Sequence, residues 1–234
     1  KALVDRHAKL CAELGIPLPE AVRSELDDLR EQLIGISMIG EASPRLRARI
    51  VGAGEMLSTR IGAIWLRDQG LPTRWVDARE LLEARPQPDN EHLQYLSATC
   101  DASHEPALSR RLREIADPVL MTQGFVVRGP EGDTALLGRG GSDTSATALA
   151  ARLGAVHAEV WTDVPGLFTA DPRRVPDARK LSRVGYDEAS ELATRGAKVL
   201  HPRCIAPARE VGLPIHVRHS ADPSEPGTVI SAAA

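Results

Sequence analysis

The sequence is poor in cysteine, has no excess of basic charge and contains no apolar run long enough to cross a membrane. Its three cysteines, Cys11, Cys100 and Cys204, lie far apart and outside any Cys-x-x-Cys pair, so neither a disulfide framework nor a zinc knuckle is expected. The formal net charge of −3 at pH 7 disfavours a nucleic-acid-binding protein, because such proteins present a basic surface to the phosphates. With no membrane segment and no signal-peptide pattern, the sequence predicts a globular protein of the cytoplasm.

The second half of the chain alternates between helical and strand-like patterns. Apolar residues at helical spacing predict helices over residues 144–153, 187–195 and 203–211. Alternating residues predict strands over Ala158–Thr162 and Ile215–His219. This succession of elements indicates an α/β fold with parallel strands.

A loop over residues 137–143 places a cation, two glycines and a carboxylate next to one another. Gly140 and Gly141 lack a Cβ atom, so their backbone N–H groups can approach a ligand closely. Ser142 or Asp143 is predicted to cap the helix that follows, and the amino terminus of a helix attracts anions. The glycines alone fit a solvent-exposed turn equally well. With Arg139 and Asp143 beside them, they indicate a site that holds an anion next to reacting groups.

The first half of the chain is predicted to begin with three helices, over residues 2–14, 20–33 and 44–69. The third contains Gly52 and Gly54, each of which costs about 1 kcal/mol relative to alanine inside a helix. Close packing against another element explains such glycines, and so does the close approach of a substrate beside Glu55. A buried glutamate needs a partner, which for Glu55 would be an amino group.

Several polar residues of the second half suit phosphoryl transfer. Thr162 and Asp163 stand at the carboxyl end of a predicted strand, where ligands of open α/β sheets bind. Transfer of a phosphoryl group needs cations on the moving phosphates and polar groups that position the nucleophile. The cations that lie in or beside turn motifs are Arg139, Arg173 and Lys198. Each of them alone is more often a solvated surface residue, and their common association with turn motifs favours a binding role.

With these motifs, the sequence resembles the aspartate kinases of the amino-acid-kinase superfamily over about residues 50–230. The matching motifs occur in the family's order, in residues 54–59, 122–125, 137–143, 161–173 and 196–202. The resemblance implies a three-layer αβα sandwich around a mainly parallel central sheet. It also implies transfer of the γ-phosphoryl of MgATP to the side-chain carboxylate of L-aspartate. The product would be 4-phospho-L-aspartate, at the first step towards lysine, threonine and methionine.

The resemblance further implies roles for individual residues at the acceptor site. Glu55 would bind the substrate ammonium, and Arg139 would pair with a substrate carboxylate, a task that suits the bidentate guanidinium. Phe125 would form part of the pocket wall, and Asp143 would organise the catalytic groups around the moving phosphoryl. Lining the transfer site would be Gly140, Gly141 and Ser142.

On the nucleotide side, the resemblance implies that Lys198 contacts the phosphates and acts in catalysis. Phe168 would stack on adenine, where relatives commonly carry tyrosine. The other nucleotide-binding residues would be Thr162, Asp163 and Arg173. Mg²⁺ would enter with ATP and be held mainly through the nucleotide phosphates. No metal ligand from the protein is predicted, because His216 and His219 fall on opposite faces of their strand.

Two parts of the family's usual architecture have no counterpart in this sequence. The family begins with a strand and a Lys-Phe-Gly-Gly-Thr loop that supplies a phosphate-binding lysine, and Lys1 does not match it. The fold is therefore expected to be incomplete at its amino terminus, and this part alone is expected to be inactive or weakly active. The feedback-binding ACT modules that usually follow have no match either, so either they were removed or this domain is fused to another regulatory or enzymatic domain, such as diaminopimelate decarboxylase.

The resemblance also implies that different parts of the domain bind the substrate and the nucleotide, and that the protein forms an oligomer. Residues 1–130 would form the substrate-binding part of the kinase domain, and residues 131–234 the nucleotide-binding part. L-aspartate and ATP would be the small-molecule partners, and the protein would be a homodimer.

Two other functions stay open from the sequence. A sister kinase of the superfamily would phosphorylate another acceptor, such as acetylglutamate, glutamate or UMP. The missing lysine loop also fits a non-catalytic ligand-binding or oligomerisation module. The combination of Glu55 with Arg139 favours aspartate, because it suits a small zwitterion that bears an additional carboxylate.

Overall fold

The computed structural model describes residues 2–195 and 199–232, which form two compact units. The first unit comprises the chain up to Thr99 together with Arg113–Leu136, and the second comprises Cys100–Leu112 together with the chain from Leu137 onwards. Each unit is therefore assembled from separate stretches of sequence. Over the described residues, no helix combines the length and the apolar character needed to traverse a bilayer.

Three helices open the first unit: α1 (Ala2–Glu13), α2 (Glu20–Ile39) and α3 (Pro44–Asp68). The predicted helices are thus confirmed, although α2 continues beyond residue 33. It ends where Gly40 adopts a left-handed backbone (φ 80°) and donates its N–H to the carbonyl oxygen of Ile36, a common helix terminator. All three helices contribute to one core, formed by Cys11, Ile16, Val22, Leu26, Leu57 and Ile61.

Helix α3 begins as its sequence predicts and packs closely on a hairpin. The hydroxyl of Ser43 accepts a hydrogen bond from the N–H of Leu46 (3.3 Å), and proline occupies the first turn, where its missing N–H costs nothing. A Cβ atom at Gly52 would lie only 3.2–3.3 Å from side-chain atoms of Val126, Thr134 and Leu136. Close packing therefore explains the glycine at position 52.

The remaining elements of the first unit are short. Strand β1 (Thr73–Trp75) pairs in parallel with β2 (Val119–Met121), and β3 (Val126–Arg128) pairs antiparallel with β4 (Thr134–Leu136). A 3₁₀ turn (Ala78–Glu80) and helix α4 (Glu91–Leu96) lie between β1 and β2 along the chain. Phe125, directly before β3, has a left-handed backbone (φ 68°), which is uncommon for a residue with a side chain.

The second unit is a sheet with helices packed against it. Its helices are α5 (Pro106–Arg113, whose last residue falls in the first unit), α6 (Gly141–Leu153), α7 (Tyr186–Thr194) and α8 (Pro202–Val211). Its strands are β5 (Ala158–Thr162), β6 (Arg183–Gly185), β7 (Ile215–His219) and β8 (Thr228–Ser231), in the order β5-β7-β8-β6. The core side chains with at most 1% exposure are Val184, Ala189, Cys204, Ile205, Ala208, Ile215, Val217 and Ile230.

The α/β class and the mainly parallel pairing are confirmed. β1 with β2, β5 with β7 and β6 with β8 run in parallel, whereas β3 with β4 and β7 with β8 run antiparallel. The described strands are distributed over three sheets, two of them two-stranded and one four-stranded. The predicted strands Ala158–Thr162 and Ile215–His219 have the bounds of β5 and β7 and lie side by side, residue opposite residue.

Candidate active site

The glycine loop of the second unit leads directly into α6. Gly140 has a left-handed backbone (φ 66°) and is itself the residue that precedes the helix. Its carbonyl oxygen accepts the N–H (2.9 Å) and the hydroxyl (2.8 Å) of Thr144. The prediction that Ser142 or Asp143 caps the helix is therefore wrong, because the glycine starts the helix earlier. Asp143 lies instead within the first turn, where a carboxylate interacts favourably with the helix dipole.

Helix α8 is fastened to this loop by its first residues. The guanidinium of Arg203 donates a hydrogen bond to the carbonyl oxygen of Leu137 (2.6 Å). The Nδ1 atom of His201 accepts the N–H of Arg203 (3.3 Å) and so caps α8. A Cβ atom at Gly140 would lie 2.1 Å from the Cβ of His201. Only glycine fits at position 140 without displacing the start of α8.

The carboxylate of Asp143 is half-buried beside the start of α8. The backbone N–H of His201 donates a hydrogen bond to it. Burial raises the pKa of Asp143, and the neighbouring His201 opposes that shift through its charge and its N–H. The same surroundings raise the pKa of the Cys204 thiol to about 12, chiefly by burial and then by repulsion from Asp143. Cys204 is therefore a packing residue and not a nucleophile.

The loop presents one cation and one hydroxyl to solvent. Arg139 and Ser142 are exposed, whereas Gly141 between them is buried. Among the residues that the structure describes, no acidic partner lies within ion-pair distance of Arg139. Its guanidinium is accordingly available for the carboxylate of a ligand, as a bidentate contact requires.

The candidate nucleotide residues follow β5. The hydroxyl of Thr162, the last residue of the strand, donates to the carboxylate of Asp163 (3.2 Å). Phe168 is half-buried and forms an isolated antiparallel bridge with Lys180. These residues occupy one strand end and the turn-rich segment that follows it.

The two cations predicted to bind the nucleotide are Arg173 and Lys198, and the structure describes only the first of them. Arg173 is exposed and forms an ion pair with Asp171 (3.2 Å), so a nucleotide phosphate would have to compete with that carboxylate. Lys198, predicted to contact the phosphates, lies outside the described residues.

Glu55 and Phe125, the residues predicted for the acceptor site, belong to the first unit. The side chain of Glu55 is half-buried, and its backbone oxygen accepts the hydroxyl of Thr59 (2.7 Å). That hydroxyl in turn accepts hydrogen bonds from the Trp75 indole (3.0 Å) and from the Gln123 amide (3.2 Å). This chain of polar contacts fixes the turn of α3 that carries Glu55.

Residues 2–219 match the family profile described as the amino acid kinase family. This chain belongs to the amino acid kinase family. It is 36% identical over 217 residues to the lysine-sensitive aspartokinase 3 of Escherichia coli (strain K12), covering 91% of this chain and 46% of that protein. It is 35% identical over 209 residues to a bifunctional aspartokinase/homoserine dehydrogenase of Haemophilus influenzae, covering 89% of this chain and 25% of that protein.

A solved structure of the amino acid kinase family shares the fold over nearly the whole chain. The crystal structure of E. coli aspartokinase III in complex with aspartate and ADP superposes with a TM-score of 0.77 at 31% identity. The match covers 97% of this chain and 52% of that one. The chain thus spans about half or less of the length of these relatives.

In this member of the amino acid kinase family, two residues that support candidate site residues could not be recognised from the sequence alone: Gln123 and His201. Gln123 is fully buried, and its amide oxygen accepts the N–H of Ala78 (2.7 Å) while its nitrogen donates to Thr59. His201 holds Asp143 through a backbone contact. The available signals were a glutamine between strand-like residues and the pair His201-Pro202, which is typical of a helix start.

Proposed function

We propose that this chain is the kinase domain of an aspartate kinase. It transfers the γ-phosphoryl of ATP to the side-chain carboxylate of L-aspartate, giving 4-phospho-L-aspartate and ADP. The observation that carries the proposal is the loop before α6, with the exposed Arg139 on one side of the glycines and Asp143 held by the N–H of His201 on the other. The aspartokinase relatives, one of them crystallised with aspartate and ADP, support the choice of acceptor.

On the acceptor side, the substrate is bound by opposite charges at its two ends. Glu55 pairs with the ammonium, and Arg139 pairs with a carboxylate through a bidentate contact. Phe125, with its unusual backbone, forms part of the pocket wall. The network of Thr59 and Gln123 supports this assignment, because it fixes the helical turn that presents Glu55.

At the transfer site, the groups of the loop stabilise charge instead of forming a covalent bond. Gly140, Gly141 and Ser142 line the site, and the positive end of the α6 dipole favours the negative charge of the moving phosphoryl. Asp143 organises the surrounding donors, and it acts as a carboxylate only above its raised pKa. Direct, in-line transfer to the aspartate carboxylate needs little covalent chemistry from the protein.

On the nucleotide side, Thr162, Asp163, Phe168 and Arg173 bind ATP, and Lys198 contacts its phosphates and acts in catalysis. Mg²⁺ that enters with ATP would supply positive charge against the negative charge of the phosphates during transfer. Magnesium prefers oxygen donors and usually binds through one or two carboxylates plus phosphates. Asp143 and Asp163 are the acidic groups of the two candidate segments, and the metal would be held mainly by the nucleotide phosphates.

The whole protein extends this domain. We propose that residues 1–130 contribute mainly to substrate binding and residues 131–234 to nucleotide binding. The full protein is proposed to be a homodimer with a fused regulatory or enzymatic domain. The bifunctional relative from H. influenzae, whose length this chain covers by only 25%, supports such a fusion.

The test is ADP release by the full-length protein with ATP, Mg²⁺ and one acceptor at a time: L-aspartate, acetylglutamate, glutamate or UMP. Hydroxylamine in the assay traps an acyl phosphate and so distinguishes phosphoryl transfer to a carboxylate from ATP hydrolysis. Aspartate should be the preferred acceptor. Arg139→Ala should lower kcat/KM for aspartate about 100-fold, since it removes a charged hydrogen-bonding partner.

The matched control is Arg110→Ala, which removes an exposed arginine on α5 and should leave kcat/KM unchanged. Turnover with another acceptor and none with aspartate would assign the protein to a sister kinase. Ligand binding without turnover of any acceptor would indicate a non-catalytic module.

A further inference from the structure

One face of the β5–β7 strand pair carries a group of metal-ligating side chains outside the candidate active site. The register places Glu159 of β5 opposite His216 of β7. His157, two residues before Glu159, projects to the same face because side chains alternate along a strand. One potential ligand atom from each of these three side chains lies within 4.8 Å of the others.

The two imidazoles and the carboxylate already face one another. The rings of His157 and His216 are stacked, with centroids 4.7 Å apart and an angle of 15° between their planes. The Oε1 atom of Glu159 lies 3.7 Å from Nε2 of His157. Its Oε2 atom accepts a hydrogen bond from the indole of Trp161 (3.0 Å). The indole therefore orients the carboxylate so that its other oxygen is directed at the histidines.

This donor set is chemically selective. Two imidazoles with one carboxylate suit zinc and neighbouring transition metals, whereas magnesium and calcium prefer oxygen donors alone. Tetrahedral zinc has ligand distances of about 2.0–2.2 Å. The three side chains must therefore move closer together on binding, which their partly exposed position permits.

The charges around the cluster also bear on cation binding. A competing cation is Arg218, 3.7 Å from Oε1 of Glu159, and its guanidinium is also held by the carbonyl oxygen of Pro223 (2.7 Å).

We infer that His157, Glu159 and His216 form a three-ligand site for a divalent transition-metal ion, of the Zn²⁺ type, with the fourth position open to water. His157 lies directly before β5 and Glu159 is its second residue, whereas Thr162 is its last. At the usual rise of a strand, Glu159, the ligand nearest to Thr162 along β5, lies about 10 Å from it. The inference is therefore independent of the proposed kinase activity.

This site differs from the pair that the sequence brought to attention. His216 and His219 share a strand and fall on opposite faces. The partner of His216 is instead His157, which reaches it across the strand pair. The register of β5 against β7 decides this, and no pattern within either strand specifies it.

The experiment is isothermal titration of untagged, EDTA-stripped full-length protein with ZnCl₂, combined with visible absorption of the Co²⁺-loaded protein. One zinc ion per chain should bind with a Kd in the micromolar range or below. His157→Ala and His216→Ala should each weaken this event by tenfold or more and abolish the intense visible bands of tetrahedral cobalt. Trp161→Phe should weaken it about tenfold, as expected for a residue that orients a ligand.

The matched control is His219→Ala, which removes a histidine from the other face of β7 and should leave the Kd unchanged. Glu159→Gln serves as a further ligand variant if a histidine variant does not fold. The site is refuted if zinc fails to bind up to millimolar concentration. It is equally refuted if folded His157→Ala and Glu159→Gln bind zinc as the unaltered protein does.

Discussion

Gly140 and His201 approach each other so closely that a Cβ atom on the glycine would lie 2.1 Å from the Cβ of the histidine. Gly140 ends the glycine loop and His201 caps α8. The same histidine donates its backbone N–H to Asp143. One close contact thus sets the position of the loop, of a helix start and of the candidate catalytic carboxylate.

Gly140→Ala should destabilise the protein by about 3 kcal/mol, since a left-handed alanine costs about 1 kcal/mol or more and the clash with His201 adds an overpacking cost of similar size or greater. The ATP-dependent activity should fall with it. Urea unfolding and the ADP-release assay measure the two effects.

Gly212→Ala is the matched control for this contact. Gly212 has nearly the same backbone (φ 67°), and nothing lies within 4 Å of a Cβ atom placed there. It should therefore show the backbone cost alone. His201→Gly should partly restore the stability of Gly140→Ala, and equal losses in Gly140→Ala and Gly212→Ala would contradict the proposed clash.

The two glycines in the middle of α3 should respond in opposite directions to alanine. Gly54→Ala meets nothing within 4 Å and should stabilise the fold by about 1 kcal/mol through helix propensity. Gly52→Ala crowds Val126, Thr134 and Leu136 and should destabilise it by about 1–2 kcal/mol. Chemical denaturation measures both, and a stabilising Gly52→Ala would overturn the packing explanation.

Steady-state kinetics of Gly54→Ala test the second explanation for this glycine, the close approach of a substrate beside Glu55. If a substrate approaches α3 closely beside Glu55, the added methyl group should raise the KM for aspartate while the fold is more stable. An unchanged KM would mean that position 54 is not part of the acceptor site.

Gln123→Ala should destabilise the protein by about 2–3 kcal/mol. It removes the acceptor of the Ala78 N–H and a donor to Thr59. A buried polar group that is left without its partner destabilises the fold, because its desolvation cost is no longer compensated by a hydrogen bond. The KM for aspartate should rise as well, because the turn that carries Glu55 loses a support. Thermal unfolding and steady-state kinetics give the two values.

Gln69→Ala, an exposed glutamine at the end of α3, is the control for this substitution and should be neutral. A loss of stability without any change in KM would restrict Gln123 to a structural role.

Asp143→Asn should increase stability and reduce turnover. Because burial raises the pKa of Asp143, the folded state binds a proton more readily than the unfolded state, and stability falls as pH rises from the ordinary aspartate range through the raised pKa. Removing the charge should therefore stabilise the protein at neutral pH, by less than about 1 kcal/mol since the group is partly solvated. kcat should drop about 100-fold or more.

A pH series separates these effects. The stability advantage of Asp143→Asn should shrink as pH falls, and the wild-type kcat should decline as Asp143 becomes protonated. Asp89→Asn, at an exposed loop position, should change neither quantity. A variant less stable than wild type at neutral pH would contradict a desolvated carboxylate.

The sequence predicted the elements whose signals are local. Ser43 and Pro44 fixed the start of α3, and alternation fixed both bounds of β5 and β7. It did not reveal β6, because three residues are too few for a period to be recognised and its pairing partner, β8, lies far along the chain. The cap of α6 was assigned wrongly, since a polar side chain is the usual signal and here a left-handed glycine takes its place.

For the site, the sequence supplied the candidates but not their supports. The loop and Asp143 were identifiable from residue type and order. The contacts of His201 with Gly140 and of Arg203 with Leu137 join positions 61 and 66 residues apart, which no local pattern encodes. The roles of Glu55, Phe125, Arg139 and the nucleotide residues stay predictions until the variants are measured.

The segment Cys100–Leu112 limits when the second unit can fold during translation and which fragments contain that unit. It leaves the ribosome before most of the unit to which it belongs, and its partners on α6 follow only later: Arg152 pairs with Glu105, and the carbonyl oxygen of Leu153 accepts the hydroxyl of Ser109. The second unit therefore cannot complete its fold before its carboxyl-terminal half has been translated. A truncation that begins at Leu137 would lose α5 and with it the partners of Arg152 and Leu153, so a fragment that contains the whole second unit has to begin no later than Cys100.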